Sequence, residues 1–150
     1  MSFLHKFLLA VLALCIGFST TANASVSSIV IDIKTGEIIS ENNADERRYP
    51  ASLTKLMTLY MTFQALERGS LKMEDELPVS LNAARQRPSR IDLRYKETVS
   101  VENAIKGLIV KSANDCAVVL AEAIGYDEKM FANAMTRVAR ELGMKKTTFK

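Results

Sequence analysis

The chain has 150 residues, of which 48% are hydrophobic and 25% are charged, and its formal net charge is +3. No dense basic stripe with interleaved aromatic residues occurs, so we expect no nucleic-acid binding. The one histidine is His5 and the two cysteines are Cys15 and Cys116, which are too few ligands for a zinc site.

Residues 1–24 are typical of a secretory signal peptide. A short basic region ends at Lys6, an apolar stretch follows over residues 7–18, and small residues at 22–24 suit cleavage. The apolar stretch is too short to span a bilayer comfortably. We therefore expect an exported protein of the periplasm or cell envelope with a mature part of residues 25–150. An uncleaved N-terminal anchor is the alternative.

Cleavage would leave Cys116 as the single cysteine and would remove the only histidine. An intramolecular disulfide and a Ser-His-Asp triad are then excluded. A serine nucleophile in the mature chain must pass its proton to another base, and lysine is the usual substitute.

The mature sequence opens with a β-hairpin pattern followed by a helical pattern. Residues 27–33 and 38–40 are rich in Val and Ile, and Gly36 lies in the turn between them. Over residues 51–68, apolar side chains recur at helical spacing, and Gly69 is expected to end the helix. The apolar positions that predict this buried helix are Leu53, Leu56, Met57, Tyr60, Phe63 and Leu66.

The second half of the sequence is mainly helical. Residues 71–96 contain two prolines and no sustained period, which predicts loop with short extended pieces. Helices are expected over 101–110, 116–124 and 127–142, with a polar joint at 111–115 between the first two. Strands followed by helices favour an α+β fold.

Ser52 and Lys55 are the best indication of chemistry. Residues three apart share one face of a helix, so the two side chains can meet. The helix start favours negative charge at the serine oxygen. Lys55 must be largely neutral to accept a proton, and burial by Leu53, Leu56 and Met57 would lower its pKa. The alternative is a helix-capping serine followed by a solvated lysine.

Ser112 and Asn114 form a second polar motif in the predicted interhelical joint. Aimed across a cleft toward the first pair, Ser112 can pass a proton to a leaving amine, and Asn114 can hold a peptide carbonyl or the lysine. The alternative is that Asn114 and Asp115 only cap the next helix. The order of the two motifs makes the catalytic interpretation more specific than either motif alone.

With these motifs the sequence resembles the low-molecular-mass penicillin-binding serine peptidases, the D-alanyl-D-alanine carboxypeptidases. The stretches that carry the resemblance are IDIKTG at 31–36, RYPASLTKLMT at 48–58, GLIVKSAND at 107–115 and LGMKKTTF at 142–149. The resemblance implies an α+β transpeptidase fold of the penicillin-binding and serine β-lactamase type. It also implies that Ser52 is the acylated nucleophile, Lys55 its base, Ser112 a proton relay and Asn114 a positioning residue.

The family's third motif, Lys-Thr-Gly on an edge strand, should follow the second motif in the chain. Lys34-Thr35-Gly36 precedes Ser52, so the resemblance implies that it is the first hairpin turn and that the edge strand lies beyond residue 150. We therefore expect a fragment or a truncated product that lacks the C-terminal sheet strands. Loss of the strand's oxyanion-hole N–H would cost about 2.7 to 4 kcal/mol. The uncovered hairpin edge and helix face would make the chain marginally stable and prone to aggregate.

By resemblance, the expected activity is removal of the terminal D-alanine from peptidoglycan stem peptides through an acyl-enzyme. The expected partners are D-Ala-D-Ala stem peptides and β-lactam antibiotics, and a region beyond residue 150 is a candidate for peripheral association with the inner membrane. No cofactor or metal is implied. The alternatives are a DD-endopeptidase, a β-lactamase, and an inactive remnant that only binds cell-wall material.

Overall fold

The computed structural model describes residues 26–150. The predicted signal peptide, residues 1–24, lies outside the described residues. The chain divides into two compact units with the boundary between Glu46 and Arg47, and each unit is described by itself.

The first unit contains the predicted β-hairpin. Strands β1 (Ser28–Ile31) and β2 (Ile38–Asn42) pair antiparallel. In the turn, the Asp32 carboxylate accepts hydrogen bonds from the backbone N–H groups of residues 34 and 35 at 2.8 and 2.9 Å. Gly36 has a φ of +75°, which a residue without a Cβ adopts readily. The Lys-Thr-Gly sequence therefore occupies a hairpin turn, as predicted.

The second unit is mostly helical and adds a short two-stranded sheet. Its strands pair antiparallel with Leu77 opposite Val99. In chain order it contains a 3-10 turn at Ala51–Leu53, α1 (Thr54–Glu67), β3 (Glu76–Pro78), α2 (Leu81–Ala84), β4 (Thr98–Ser100), α3 (Val101–Lys111), α4 (Asn114–Gly125) and α5 (Glu128–Glu141). Together, the described residues confirm the α+β class.

Two of the predicted helices have a capping side chain at the N-terminus. The Ser100 hydroxyl accepts a hydrogen bond from the backbone N–H of Asn103 at the start of α3, and the Asp127 carboxylate accepts one from Met130 at the start of α5. Helix α4 is different, because its N-cap is Ala113, without a side-chain cap. The expected joint over 111–115 is thus shorter, since α4 already includes Asn114 and Asp115.

The region 71–96 is more ordered than its sequence predicts. Helix α2 begins where the Ser80 hydroxyl accepts a hydrogen bond from the Ala83 N–H at 3.0 Å, and Ala83 is completely buried. These elements are three or four residues long, too short to show a period, so tertiary packing rather than local pattern stabilises them.

Helix α4 lies at the centre of the second unit, in contact with α1, α2, α3 and α5. On one side, its buried residues pack with those of α3 and β4. On the other side, α4 packs with α1 and α5 in a smaller cluster of Met57, Met61, Ala121, Phe131, Met135 and Ala139.

The face that α1 buries is not the apolar face expected from the sequence. Met57 is buried as predicted, but Met61, Thr58 and Thr62 are buried as well. The predicted positions Leu53, Leu56, Tyr60 and Phe63 are exposed instead. The reason is that α1 packs on α4 and α5 through the adjoining side of the helix. The expectation that its apolar side would be partly bare is confirmed.

Within residues 26–150, no helix has both the length and the hydrophobicity required of a membrane span.

Candidate active site

Ser52 lies in the 3-10 turn that leads into α1. The residue before it, Ala51, has a φ of +48°, in the left-handed region that residues with a Cβ rarely adopt. This turn places Ser52, which is exposed, at the N-terminal end of α1. The position agrees with the prediction, although the local structure is a 3-10 turn rather than the first turn of an α-helix.

Lys55 contacts the joint between α3 and α4. Its Nζ donates hydrogen bonds to the Ser112 carbonyl oxygen at 2.5 Å and to the Ser112 Oγ at 3.0 Å. Ser112 follows the last residue of α3 and has φ 53° and ψ 40°, a left-handed conformation typical of a helix C-terminus. The two predicted motifs, 57 residues apart in the chain, therefore meet directly.

Asn114 lies beside Lys55 and Ser52, and the loop between α2 and β4 holds it there. Its backbone N–H donates to the Ser89 carbonyl at 2.7 Å, and its Nδ2 donates to the Arg87 carbonyl at 2.8 Å. This leaves the amide oxygen of Asn114 as the group that can receive a substrate N–H. Neither Asn114 nor Asp115 is the N-cap of α4, the alternative considered from the sequence, because both lie within the helix and its N-cap is Ala113.

Ser52, Lys55 and Asn114 line one cavity of about 390 Å³. Among the described residues, no hydrogen bond joins Ser52 to Lys55, because the lysine amine is directed to Ser112. A proton can nevertheless pass along the Lys55–Ser112 contact, since a hydroxyl both donates and accepts. The geometry brings the four predicted side chains into one site, with Lys55 at its centre.

Burial lowers the pKa of Lys55 below its ordinary value of 10.5. The expected source of this burial was partly wrong, because Leu53 and Leu56 are exposed to 66% and 61%. The Lys55 amine instead points toward the joint at Ser112. A lowered pKa increases the neutral fraction of Lys55 at a given pH and so favours its use as a base.

Asp115 is a residue whose role sequence reasoning missed. It is fully buried, and its carboxylate accepts hydrogen bonds from the backbone N–H groups of Ile91 and Leu93 at 3.1 Å, and from that of Cys116 at 2.9 Å. It therefore fixes the loop whose carbonyls, at Arg87 and Ser89, hold Asn114. The available signal was an acidic residue directly before the uncharged run of residues 116–121.

Cys116 is a packing residue. It is fully buried, and burial raises the pKa of its thiol to about 12. A thiol of this kind is not a nucleophile near neutral pH.

The fold is that of the serine peptidases found among penicillin-binding proteins. The chain belongs to the D-alanyl-D-alanine carboxypeptidase family, Peptidase S11, whose model matches residues 17–150.

Two D-alanyl-D-alanine carboxypeptidases illustrate the similarity. DacF of Bacillus subtilis (strain 168) is 38% identical over 132 residues, which cover 88% of this chain and 34% of DacF. The crystal structure of DacD from Francisella tularensis has a TM-score of 0.81 and 38% identity, and the match covers 84% of this chain and 30% of DacD. The chain thus spans about a third of the length of the curated carboxypeptidases it matches.

Two further matches are an endopeptidase and a penicillin-binding protein with a bound β-lactam. The D-alanyl-D-alanine endopeptidase of Escherichia coli (strain K12) is 30% identical over 138 residues, which cover 87% of this chain and 43% of the endopeptidase. Penicillin-Binding Protein D2 of Listeria monocytogenes, solved in its cefotaxime-bound form, is 32% identical with a TM-score of 0.69. That match covers 83% of this chain and 50% of the Listeria protein.

Proposed function

We propose that this chain carries the nucleophile and the second catalytic motif of an exported serine-type D-alanyl-D-alanine carboxypeptidase. The substrate is a peptidoglycan stem peptide that ends in D-Ala-D-Ala, and the product is the shortened peptide with free D-alanine. The observation that carries the proposal is the pair of hydrogen bonds from Lys55 Nζ to Ser112 in a cavity that Ser52 and Asn114 also line.

In the proposed mechanism, Ser52 Oγ attacks the carbonyl of the penultimate D-alanine and its proton passes to the neutral Lys55 amine. The new bond is the ester between Ser52 and the peptide. The bond that breaks is the terminal amide, whose nitrogen takes a proton through Lys55 and Ser112 as D-alanine leaves. The Asn114 amide orients the substrate backbone. Water then hydrolyses the ester and returns the hydroxyl of Ser52.

β-Lactams are proposed ligands because their strained amide presents the same carbonyl to Ser52. The bound cefotaxime in the related Listeria protein supports this choice. No metal or cofactor enters the proposed reaction.

A penicillin adduct tests the proposal. The full chain is produced in an export-competent bacterium, purified, incubated with benzylpenicillin and measured by intact mass. We expect one covalent adduct that maps to Ser52 and is absent from Ser52→Ala. Ser40→Ala, a change of the same kind at an exposed position of β2, should acylate like the unmodified chain. Lack of an adduct, or an adduct that persists in Ser52→Ala, would overturn the proposal.

The same mass spectrum tests the proposed export. Cleavage between Ala24 and Ser25 should remove the first 24 residues, whereas an uncleaved anchor would leave the full mass. The sequence features that support this proposal are the basic, apolar and small-residue segments described above.

An endopeptidase that cuts cross-links is the second candidate, which the similarity to the Escherichia coli endopeptidase favours. Parallel assays on a stem pentapeptide and on a cross-linked peptide dimer separate the two activities. Release of D-alanine from the pentapeptide supports a carboxypeptidase, and cleavage of the dimer alone supports an endopeptidase.

A further inference from the structure

A second cavity, of about 550 Å³, lies beside α4 and next to the β3–β4 sheet. Two tyrosines at this cavity are open to solvent, with Tyr126 exposed to 90% and Tyr95 to 52%. The residues that give the cavity its character are Val79, Val119, Tyr95, Tyr126, Lys96 and Glu122. The cavity thus combines an apolar wall, two exposed aromatic rings, one positively charged group and one negatively charged group.

The two charged groups have hydrogen-bonding capacity left for a ligand. Glu122 Oε1 accepts hydrogen bonds from Ser80 Oγ at 2.9 Å and from Asn82 Nδ2 at 3.4 Å, which fix the carboxylate. Its second oxygen accepts no hydrogen bond from any of residues 26–150. The Lys96 amine lies 5.5 Å from the centre of the Tyr95 ring and makes no ion pair within the described part of the chain. An acceptor and a donor therefore flank the aromatic rings.

The backbone is strained at two residues of this cavity. Tyr126 has a φ of +69° and Lys96 a φ of +72°. The residue that follows a helix is often a left-handed glycine, and here Tyr126 takes that position after Gly125, the last residue of α4. A bulky residue in this conformation costs free energy that its exposed ring does not recover by packing, and such strain concentrates at binding sites.

From these observations we propose that the second cavity binds a saccharide. The faces of a pyranose ring are apolar and stack on tyrosine, while its hydroxyl groups both donate and accept hydrogen bonds. The pairing of exposed tyrosines with a carboxylate oxygen that accepts no hydrogen bond and an amine that makes no ion pair, both within residues 26–150, matches both properties. A flat hydrophobic partner would leave the Glu122 and Lys96 groups unpaired.

The second cavity adjoins the candidate active site through one asparagine. Asn82 Nδ2 donates to Glu122, which lines the second cavity, and at 3.1 Å to Glu128, which lines the cavity of Ser52. The linings of the two cavities are therefore linked through one side chain, and in this proposal a sugar chain occupies the second cavity while its peptide branch occupies the first. We assign a β-linked oligosaccharide of N-acetylated amino sugars to the second cavity, and this choice of sugar rests on the proposed function.

Titration with chitotetraose, followed by backbone amide NMR shifts of the full chain, tests this proposal. We expect shifts around Tyr95 and Tyr126, no competition from the dipeptide D-Ala-D-Ala, and weaker binding of maltotetraose. Tyr126→Gly is the decisive variant, because it removes the ring and relieves the left-handed strain. Its affinity should fall by about tenfold or more while its melting temperature rises. Tyr60→Ala, which removes an exposed tyrosine of α1, should bind like the unmodified chain.

Absence of chitotetraose binding at millimolar concentration, or unchanged affinity in Tyr126→Gly and Tyr95→Ala, would overturn the saccharide site. Competition by D-Ala-D-Ala would reassign the cavity to a peptide. Equal affinity for maltotetraose would overturn the assignment to amino sugars. Penicillin acylation of Ser52 should be unchanged in both variants. Saccharide binding without acylation would therefore sustain this site while the proposed function fails.

Discussion

At the scale of single residues, the proposed chemistry depends on the protonation of Lys55. Only the neutral amine can accept the proton of Ser52, so acylation should accelerate as pH rises and Lys55 loses its proton. Because burial lowers the pKa of Lys55, the rise should be centred below 10.5. The rate of benzylpenicillin adduct formation measured against pH checks this expectation.

Lys55→Arg is the matched variant for this prediction. Arginine keeps the positive charge and the hydrogen-bond donors but does not lose its proton at accessible pH. We expect about 10²- to 10⁴-fold slower acylation and no rise with pH, with the fold retained. An arginine variant that acylates at the original rate would show that another group takes the proton.

Asp115 is expected to act on the site through the loop that it holds. In Asp115→Asn the carboxylate that accepts three backbone hydrogen bonds is replaced by a neutral amide with a single oxygen. We expect a loss of about 1 to 3 kcal/mol in the free energy of unfolding, measured with urea, and slower acylation because the carbonyls that hold Asn114 move. Asp92→Asn changes an exposed carboxylate of the same loop and should alter stability by less than about 0.5 kcal/mol.

At the scale of elements, α3 and α4 approach closely at Gly107. A Cβ at this position would lie 2.6 Å from Cys116 Sγ and 3.4 Å from Ile91 Cδ1. Gly107→Ala should therefore reduce the free energy of unfolding by about 1 to 3 kcal/mol, although alanine is the better helix former. In a Cys116→Ala background, the same change should become neutral or stabilising, because the sulfur is gone. Equal effects in both backgrounds would contradict the contact.

Gly125 serves as a contrast to Gly107. A Cβ there would meet the backbone nitrogen and Cα of Phe131 at 2.9 and 2.8 Å. Backbone atoms cannot be removed by a second substitution, so no partner variant should rescue Gly125→Ala.

At the scale of the whole molecule, the exposed face of α1 should govern solubility more than stability. Met61 is 7% exposed and Phe63 is 46% exposed, two residues apart on the same helix. Met61→Ala should lower the free energy of unfolding by about 2 to 5 kcal/mol. Phe63→Ala should lower it by less than about 1 kcal/mol and should reduce aggregation measured by light scattering. Similar stability losses in both variants would mean that Phe63 is buried in solution.

Much of the architecture followed from local pattern. The hairpin around Gly36 and the helices containing Lys55, Lys106 and Met135 were predictable because turn residues, caps and periodicity act within a few positions of the chain. The face that α1 buries was not predictable, since threonines at 58 and 62 are covered while larger apolar side chains are exposed. Burial depends on which neighbour a helix meets, and helical periodicity alone cannot supply that neighbour.

The candidate site was likewise predictable from the sequence only in part. The sequence by itself determined the spacing of Ser52 and Lys55 and the order of the two motifs, because both are relations along the chain. Only the tertiary structure decided that Lys55 hydrogen-bonds Ser112 and that Asp115 anchors the loop behind Asn114. These contacts join residues 57 and 22 positions apart, and chain packing rather than local geometry brings such residues within hydrogen-bonding distance.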